Sequence, residues 1–269
     1  MSNTSVSDTW ERGSPYEQYV GRWSRQVAPV FLSWLGVPPG KRWLDVGCGT
    51  GALCAAIVDR CAPSSVIGVE PSAGFRNLAA QSLANRVELY DGSAASLPLA
   101  DSAVDVTVSG LVLNFVPDLP AALAEMNRVT SRGGTIAAYV WDYANKMEMI
   151  RFFWDAASEL DPEAAKLHEG VRFPLCNPDA LLAQFRKAGL RTPETTPIDV
   201  PTCFSSFEEY WNSFLGGQGP APAYTMSLSA EARTRLRDQL RVHLRSEPDG
   251  SLKLTARAWA IRASTDGNA

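Results

Sequence analysis

The chain has 269 residues, 45% hydrophobic and 20% charged, with a formal net charge of −4 at pH 7, which is room for one large domain, or a core domain with a cap, around a real hydrophobic core. The negative balance excludes global electrostatic attraction to nucleic acid, and no nucleic-acid partner is expected. Five cysteines, odd in number and without a C-x-x-C pair, fit a reducing cytosol and argue against a disulfide framework or a metal site.

Met1 to Gly13 is polar, has no apolar signal core and reads as disordered. No apolar run approaches the roughly 18 residues of a membrane span, so a cytoplasmic protein is expected. Ser14-Pro15-Tyr16-Glu17 carries a capping box with proline at the first helical position. Tyr16, Tyr19, Trp23, Val27, Phe31 and Trp34 follow at helical spacing, and Pro29 should kink or divide that helix. The stripe has two readings: packing against the main domain, or closure over a ligand with Arg22 meeting a carboxylate.

Trp43, Leu44 and Val46 read as a short buried strand, and Ala52 to Arg60 as a helix. Between them Gly47, Gly49 and Gly51 make a turn against which a ligand can lie directly, since glycine tolerates positive φ and has no side chain. Strand, glycine-rich turn and helix form the first unit of a nucleotide-binding α/β domain. The spacing alone is ambiguous. Gly47, Gly49 and Ala52 satisfy a dinucleotide pattern; Gly47, Gly49 and Gly51 satisfy the G-x-G-x-G turn of methyltransferases. Asp45, at the carboxyl end of the strand, tips the balance. A carboxylate there repels a diphosphate and favours a ligand bearing an ammonium or a sulfonium, and S-adenosylmethionine carries both. Cys48, inside the turn, needs only to be small.

Ser65 to Val69 reads as a second buried strand ending at Glu70, with Pro71-Ser72 starting a helix. Glu70 lies 21 residues beyond Gly49, the distance at which an acid meets a ribose diol. Arg86 to Tyr90 is a third strand, closed by Asp91-Gly92-Ser93-Ala94, where Asp91 can accept from an adenine amino group. Val104 to Ser109 is a fourth strand. A helix spans about Leu119 to Arg128, and a turn at Ser131 to Gly134 leads into a fifth strand, Thr135 to Trp141. Such alternation calls for a parallel sheet covered on both faces, with its ligand outside the carboxyl ends of the strands. Asp45, Glu70, Asp91, Ser109 to Asn114 and Trp141 then surround one crevice.

Asp142 to Cys176 turns helical and aromatic. Asn177-Pro178 caps a helix to about Ala188, residues 190–201 read as a strand, and Ser205 begins a further helix. Gly216 to Pro220 reads as a flexible loop, Ala230 to Arg245 as a helix with a solvated arginine face, and Ser251 to Arg262 as a last strand.

With Leu44-Asp45-Val46-Gly47-Cys48-Gly49-Thr50-Gly51, Gly68-Val69-Glu70-Pro71-Ser72, Asp91-Gly92-Ser93-Ala94 and the Gly133-Gly134 turn in register, the chain resembles the class I S-adenosylmethionine-dependent methyltransferases. It looks most like the small-molecule branch that includes the ubiquinone and menaquinone methyltransferases. The resemblance covers residues 40–141 by motif and 177–201 and 251–262 by element order.

The resemblance implies an α/β, Rossmann-like, doubly wound sheet of seven mostly parallel strands, the last antiparallel and inserted beside the fifth, with helical cap insertions. The expected division is a tail and cap helix at 1–35, the cofactor-binding core at 36–141, and caps at 142–176 and 202–249. Core segments at 177–201 and 250–269 complete it. The resemblance implies cofactor contacts at Asp45, Gly47, Gly49, Glu70, Asp91, Gly92 and Ser93, and the expected cofactor set also takes in Cys48, Pro71, Ser109 and, from the N-terminal segment, Arg22.

One departure matters. Many relatives carry a histidine after the fourth strand, where this chain has Leu113-Asn114-Phe115. Asp142, Tyr143 and His168 are the candidate proton acceptors, and Asn114 is a candidate for orienting the methyl acceptor. The aromatic residues of the cap segments suggest a small, partly apolar acceptor, unless they form core. Two other readings stay open: an NAD-dependent oxidoreductase, which would lack a recognisable Tyr-x-x-x-Lys pair, and a catalytically inactive S-adenosylmethionine-binding protein.

Overall fold

The structure, a computed structural model, describes residues 21–216 and 219–266. The capping box at Ser14 to Glu17, the ring positions Tyr16 and Tyr19, the disorder expected of 1–13 and the middle of the Gly216 to Pro220 loop lie outside the described residues. The described chain divides into two compact units, one of residues 24–141, 175–198 and 258–266, the other of 21–23, 142–174 and 199–257. Among the described residues no helix is long and apolar enough to cross a membrane.

Seven strands form one sheet: β1 (Arg42–Val46), β2 (Ser65–Val69), β3 (Glu88–Tyr90), β4 (Val104–Gly110), β5 (Thr130–Trp141), β6 (Arg191–Phe204) and β7 (Leu252–Ser264), in the order β3-β2-β1-β4-β5-β7-β6. The pairs β1–β2, β1–β4, β2–β3 and β4–β5 are parallel, and β7 runs antiparallel to β5. This is the sheet that the resemblance implies, with the last strand inserted beside the fifth. Trp43, Leu44 and Val46 are fully buried, as a strand covered on both faces requires.

Register fixes which strand ends meet. Asp45 pairs with Gly68 on one side and Val108 on the other, and Val46 with Val69, so the glycine turn and Glu70 leave the sheet side by side. At the opposite end Arg42 holds Asp105 through its backbone N–H (2.9 Å) and its guanidinium (2.7 Å), which keeps that carboxyl down at about 2. β5 starts at Thr130 rather than Thr135. The Ser131 to Gly134 turn is a bulge inside the strand: Thr130 faces Val104 and Thr135 faces Val106.

The helices of this unit follow the sequence closely. They are α1 (Arg22–Leu35), α2 (Ala52–Arg60), α3 (Ala73–Leu83), α4 (Leu119–Val129) and α6 (Pro178–Lys187); α5 (Glu148–Leu160) belongs to the second unit. Asp118 caps α4 by accepting from Ala121 N–H (3.0 Å), and Asn177 caps α6 by accepting from Ala180 N–H (2.9 Å). α1 is neither ended nor divided at Pro29. From Ser24 onward α1 falls in the sheet unit, not with the caps. Its Phe31 ring meets Tyr139 of β5 edge-on at 4.8 Å, and Arg262 of β7 donates to the carbonyls of Trp34 (2.8 Å) and Leu35 (3.1 Å).

The second unit is built on α5, α7 (Phe207–Asn212), α8 (Pro220–Ser227) and α9 (Ala230–His243). The start of α8 reads in the sequence as the end of a loop; its opening Gly219-Pro220 pair is a helix start. Most aromatic residues of this unit are core, while Phe152, Phe173 and Tyr224 are half-buried. Phe153 stacks on Phe214 at 4.5 Å, Tyr210 meets Phe214 at 5.1 Å, and the Tyr210 hydroxyl donates to Met149 O (2.9 Å). Trp154, Phe204, Tyr210 and Phe214 are all buried, so these rings do not carry an argument about the acceptor. Three arginines of α9 are engaged within the unit, while Arg235 is exposed. Arg237 and Arg241 pair with Glu208, and Arg233 donates to the carbonyls of Thr225 (3.1 Å) and Leu228 (3.1 Å) that end α8.

Candidate functional site

The glycine turn is tied to the neighbouring strand by its own backbone. Gly47 N–H and Cys48 N–H both donate to Val69 O, at 2.8 and 3.1 Å. Gly47 has φ +73°, and a Cβ built on it would lie 2.6 Å from a methyl carbon of Val112. Gly49 has φ +54° and open space where its Cβ would be, which leaves a face of bare backbone. Gly47→Ala is expected to cost about 2 kcal/mol, from overpacking and the left-handed backbone. Chemical denaturation should show that loss, with partial recovery when Val112→Ala is added. Full recovery would mean that the backbone conformation costs nothing there.

Glu70 is the organising side chain. Its Oε2 accepts from Gly49 N–H (3.1 Å) and its Oε1 from Ser72 N–H (2.9 Å), so one carboxylate fixes both the turn after β1 and the start of α3. Burial raises its pKa, against the two backbone donors and the nearby Arg76, which lower it. Asp45 lies deeper. It is 1% exposed; its Oδ2 accepts from the Cys54 thiol (3.3 Å) while its Oδ1 has no partner among the described residues. Burial pushes its carboxyl up to about 7, with the charge of Glu70 adding to the rise. Among the described residues neither acid forms a salt bridge.

Asp91 follows β3 with its side chain 73% exposed, and Arg76 reaches it from α3 at 3.0 Å. Gly92 follows because a Cβ there would meet Pro98 at 2.8 Å. Ser93 O accepts from Ser96 N–H (3.1 Å), and Pro71 is exposed at the head of α3. Cys48 packs on Gly68, where a Cβ would sit 2.8 Å from its Sγ. Ser109 lies next to the last residue of β4. It is wholly buried and its hydroxyl donates to Val46 O (2.9 Å), so it pins the end of β1. Asn114 lies in the short turn Leu113–Phe115 after β4, with its amide nitrogen buried and without a partner among the described residues.

The other four expected site residues belong to the second unit. Arg22 pairs with Glu209 (2.7 Å) and lies over the rings of Trp23 (4.2 Å) and Phe204 (4.9 Å). Asp142 is buried and accepts from the Asn145 amide (2.9 Å), and Tyr143 packs on Phe173. His168 Nδ1 accepts from Gly170 N–H (2.8 Å), and burial lowers the imidazole pKa. The neutral ring therefore carries its proton on Nε2, as a donor. Acting as a base would first require it to release Gly170.

Two further residues shape this site without belonging to any motif in the sequence. Val112 fills the space that forbids a side chain at Gly47, and Arg76 bridges Glu70 O (2.6 Å) and Asp91 Oδ1. A basic residue one turn into the helix that follows a strand-end acid is the available signal for Arg76.

Comparison with known proteins matches residues 44–138 to the methyltransferase domain family. Demethylmenaquinone methyltransferase of Geobacillus kaustophilus is 32% identical over 181 residues, 61% of this chain and 76% of that enzyme. Malonyl-[acyl-carrier protein] O-methyltransferase of Serratia marcescens is 32% identical over 136 residues, 51% of this chain, and the chain spans about half of that relative's length (52%). Among solved structures, the YcgJ protein of Bacillus subtilis superposes with a TM-score of 0.60 at 18% identity, over 90% of this chain and 99% of that one, a likeness of fold.

Proposed function

The chain belongs to the class I S-adenosylmethionine-dependent methyltransferases, and from that premise we propose that it methylates a small-molecule acceptor. The observation that carries the reading is the pair of acids around the glycine turn, Asp45 and Glu70, neither neutralised by a salt bridge among the described residues. A unit charge about 5 Å from another, at an effective dielectric of about 20, is worth about 3 kcal/mol. That sign favours a ligand with an ammonium and a sulfonium, and it disfavours a diphosphate.

The residues present fit S-adenosylmethionine. Among the described residues Asp45 has a buried oxygen without a partner, and Gly49 presents bare backbone at positive φ. In this reading Gly47, Cys48 and Gly49 hold the amino-acid end through backbone, under the field of Asp45. Glu70 accepts from the ribose hydroxyls, beside Pro71, and Asp91, Gly92 and Ser93 take the adenine. When bound, the cofactor supplies a methyl group on a positively charged sulfur, open to in-line displacement. The chain's part is to orient and to exclude water, which can supply much of the acceleration.

Asn114, two residues beyond the Val112 that packs on the glycine turn, offers an amide donor that orients the acceptor without taking its proton. The name of the Geobacillus kaustophilus relative gives a demethylmenaquinone as its acceptor, which favours a partly apolar molecule here.

Calorimetric titration should give binding of S-adenosylmethionine and S-adenosylhomocysteine but not of NADH; binding of NADH alone would overturn the cofactor. Transfer of labelled methyl should then appear with at least one of a panel of phenols, quinones, amines and carboxylates. Asn114→Ala should lower turnover about tenfold, the loss of one hydrogen bond, with cofactor affinity changed less than twofold. Unchanged turnover would remove Asn114 from the acceptor site.

A further inference from the structure

We infer that Arg76 is a positioning residue that sets base specificity, fixing Asp91 so that the site selects an adenosine ligand over its inosine counterpart. The inference rests on the cofactor reading above, in which Asp91 meets the base. Arg76 stands one turn into α3 and its Nη1 donates twice, to Glu70 O at 2.6 Å and to Asp91 Oδ1 at 3.0 Å. These acceptors sit just beyond β2 and β3, which pair in parallel up to Val69 and Tyr90. One guanidinium therefore ties the segment that carries the ribose-binding acid to the segment that carries the base-binding one.

The exposures of the two partners give the tie its direction. The Arg76 side chain is 20% exposed and Asp91 is 73% exposed, so a well-packed cation restrains a carboxylate that otherwise faces solvent. Among the described residues Asp91 has no other side-chain partner. With Oδ1 engaged, Oδ2 remains to accept. A fixed acceptor matches the 6-amino group of adenine, a donor, and opposes the 6-oxo group of hypoxanthine, an acceptor. An ion pair this exposed contributes little to folding, which leaves placement of Asp91 as the consequence of the contact.

The test titrates S-adenosylhomocysteine and S-inosylhomocysteine into the wild-type chain and into Arg76→Met, Arg76→Lys, Asp91→Asn and the Arg76→Met/Asp91→Asn double variant. The wild type should prefer the adenosine ligand. Arg76→Met should cut the adenosine-to-inosine affinity ratio about fivefold, the scale set by an exposed ion pair. Arg76→Lys should recover part of that ratio, and Arg76→Met added to Asp91→Asn should leave the ratio where Asp91→Asn put it. A merely structural arginine would weaken both ligands alike. An unchanged ratio in folded Arg76→Met overturns the inference and leaves the cofactor reading standing. Should Arg76→Met fail to fold, a wild-type ratio in both Arg76→Lys and Asp91→Asn overturns it equally. Failure of the wild type to bind S-adenosylhomocysteine overturns the cofactor reading and this inference with it.

Discussion

Glu70→Ala is expected to weaken S-adenosylmethionine binding by about 100- to 10,000-fold, the largest loss from any single substitution at this site. Hydrogen bonds to a charged acceptor contribute about 1.5–3 kcal/mol each, and in the proposed site Glu70 accepts from two ribose hydroxyls. It also holds Gly49 N–H and Ser72 N–H, so removing it loosens the turn that meets the amino-acid end and the helix start beside it. Both backbone donors are within reach of water, so the stability cost should be near 1–2 kcal/mol. For a chain of this size that is a fall of about 2–8 °C in Tm. Glu70→Gln keeps one accepting oxygen and turns a donor toward one of the two N–H groups, so its loss should fall between, near tenfold. Calorimetry and circular dichroism decide the matter together. A dissociation constant within twofold of wild type, with the fold intact, would remove Glu70 from the ribose.

Glu70 is legible in the amino-acid sequence because its signal acts over a short range. β1, the glycine turn, α2, β2 and Glu70 are contiguous, and each is specified by its own neighbours: buried β-branched or aromatic residues, then glycine, then a helix. Asn177 and Asp118 announce their helices for the same reason. What stays hidden depends on residues far apart in the chain. Val112 forbids a side chain at Gly47 from 65 positions away, a relation that spacing cannot encode. Ser109 ends a strand and so reads as a crevice residue, yet its hydroxyl is used by Val46 on the next strand. Ser131 to Gly134 has the composition of a turn and is one locally, but the ladder resumes beyond it and makes it a bulge. The aromatic residues of the second unit fit a binding surface and a core equally well as sequence; only their mutual packing separates the two. Gly219-Pro220 shows the converse problem, since the same two residues break one helix and begin another.

The second large effect is a pH dependence that runs in opposite directions for affinity and for stability of the ligand-free protein. Asp45 titrates near 7 in the fold, against an ordinary value of 3.8, chiefly because it is buried. A raised carboxyl favours its protonated form, so its contribution to folding is complete below about 3.8 and is lost as pH rises through about 7. The cationic donor requires the opposite state, because it is attracted to the ionised acid. Below pH 7 binding must therefore expel a proton, and affinity should fall with each unit of pH lowered until it reaches the roughly tenfold deficit of a neutral residue, about 1.4 kcal/mol. Above 7 it should level off. Glu70, also raised by burial, adds in the same direction, so the D45N variant should retain only the shallower share due to Glu70. Asparagine keeps an oxygen for the Cys54 thiol, which makes D45N a fair neutral replacement. Its affinity should lie about tenfold below wild type at pH 8 and approach it at pH 6. Titrations in buffers of different ionisation enthalpy count the protons released. An affinity flat between pH 6 and 8, with no proton released, would mean that the buried acid does not feel the charge of the ligand, and the reason for preferring a cationic donor at this turn would be gone.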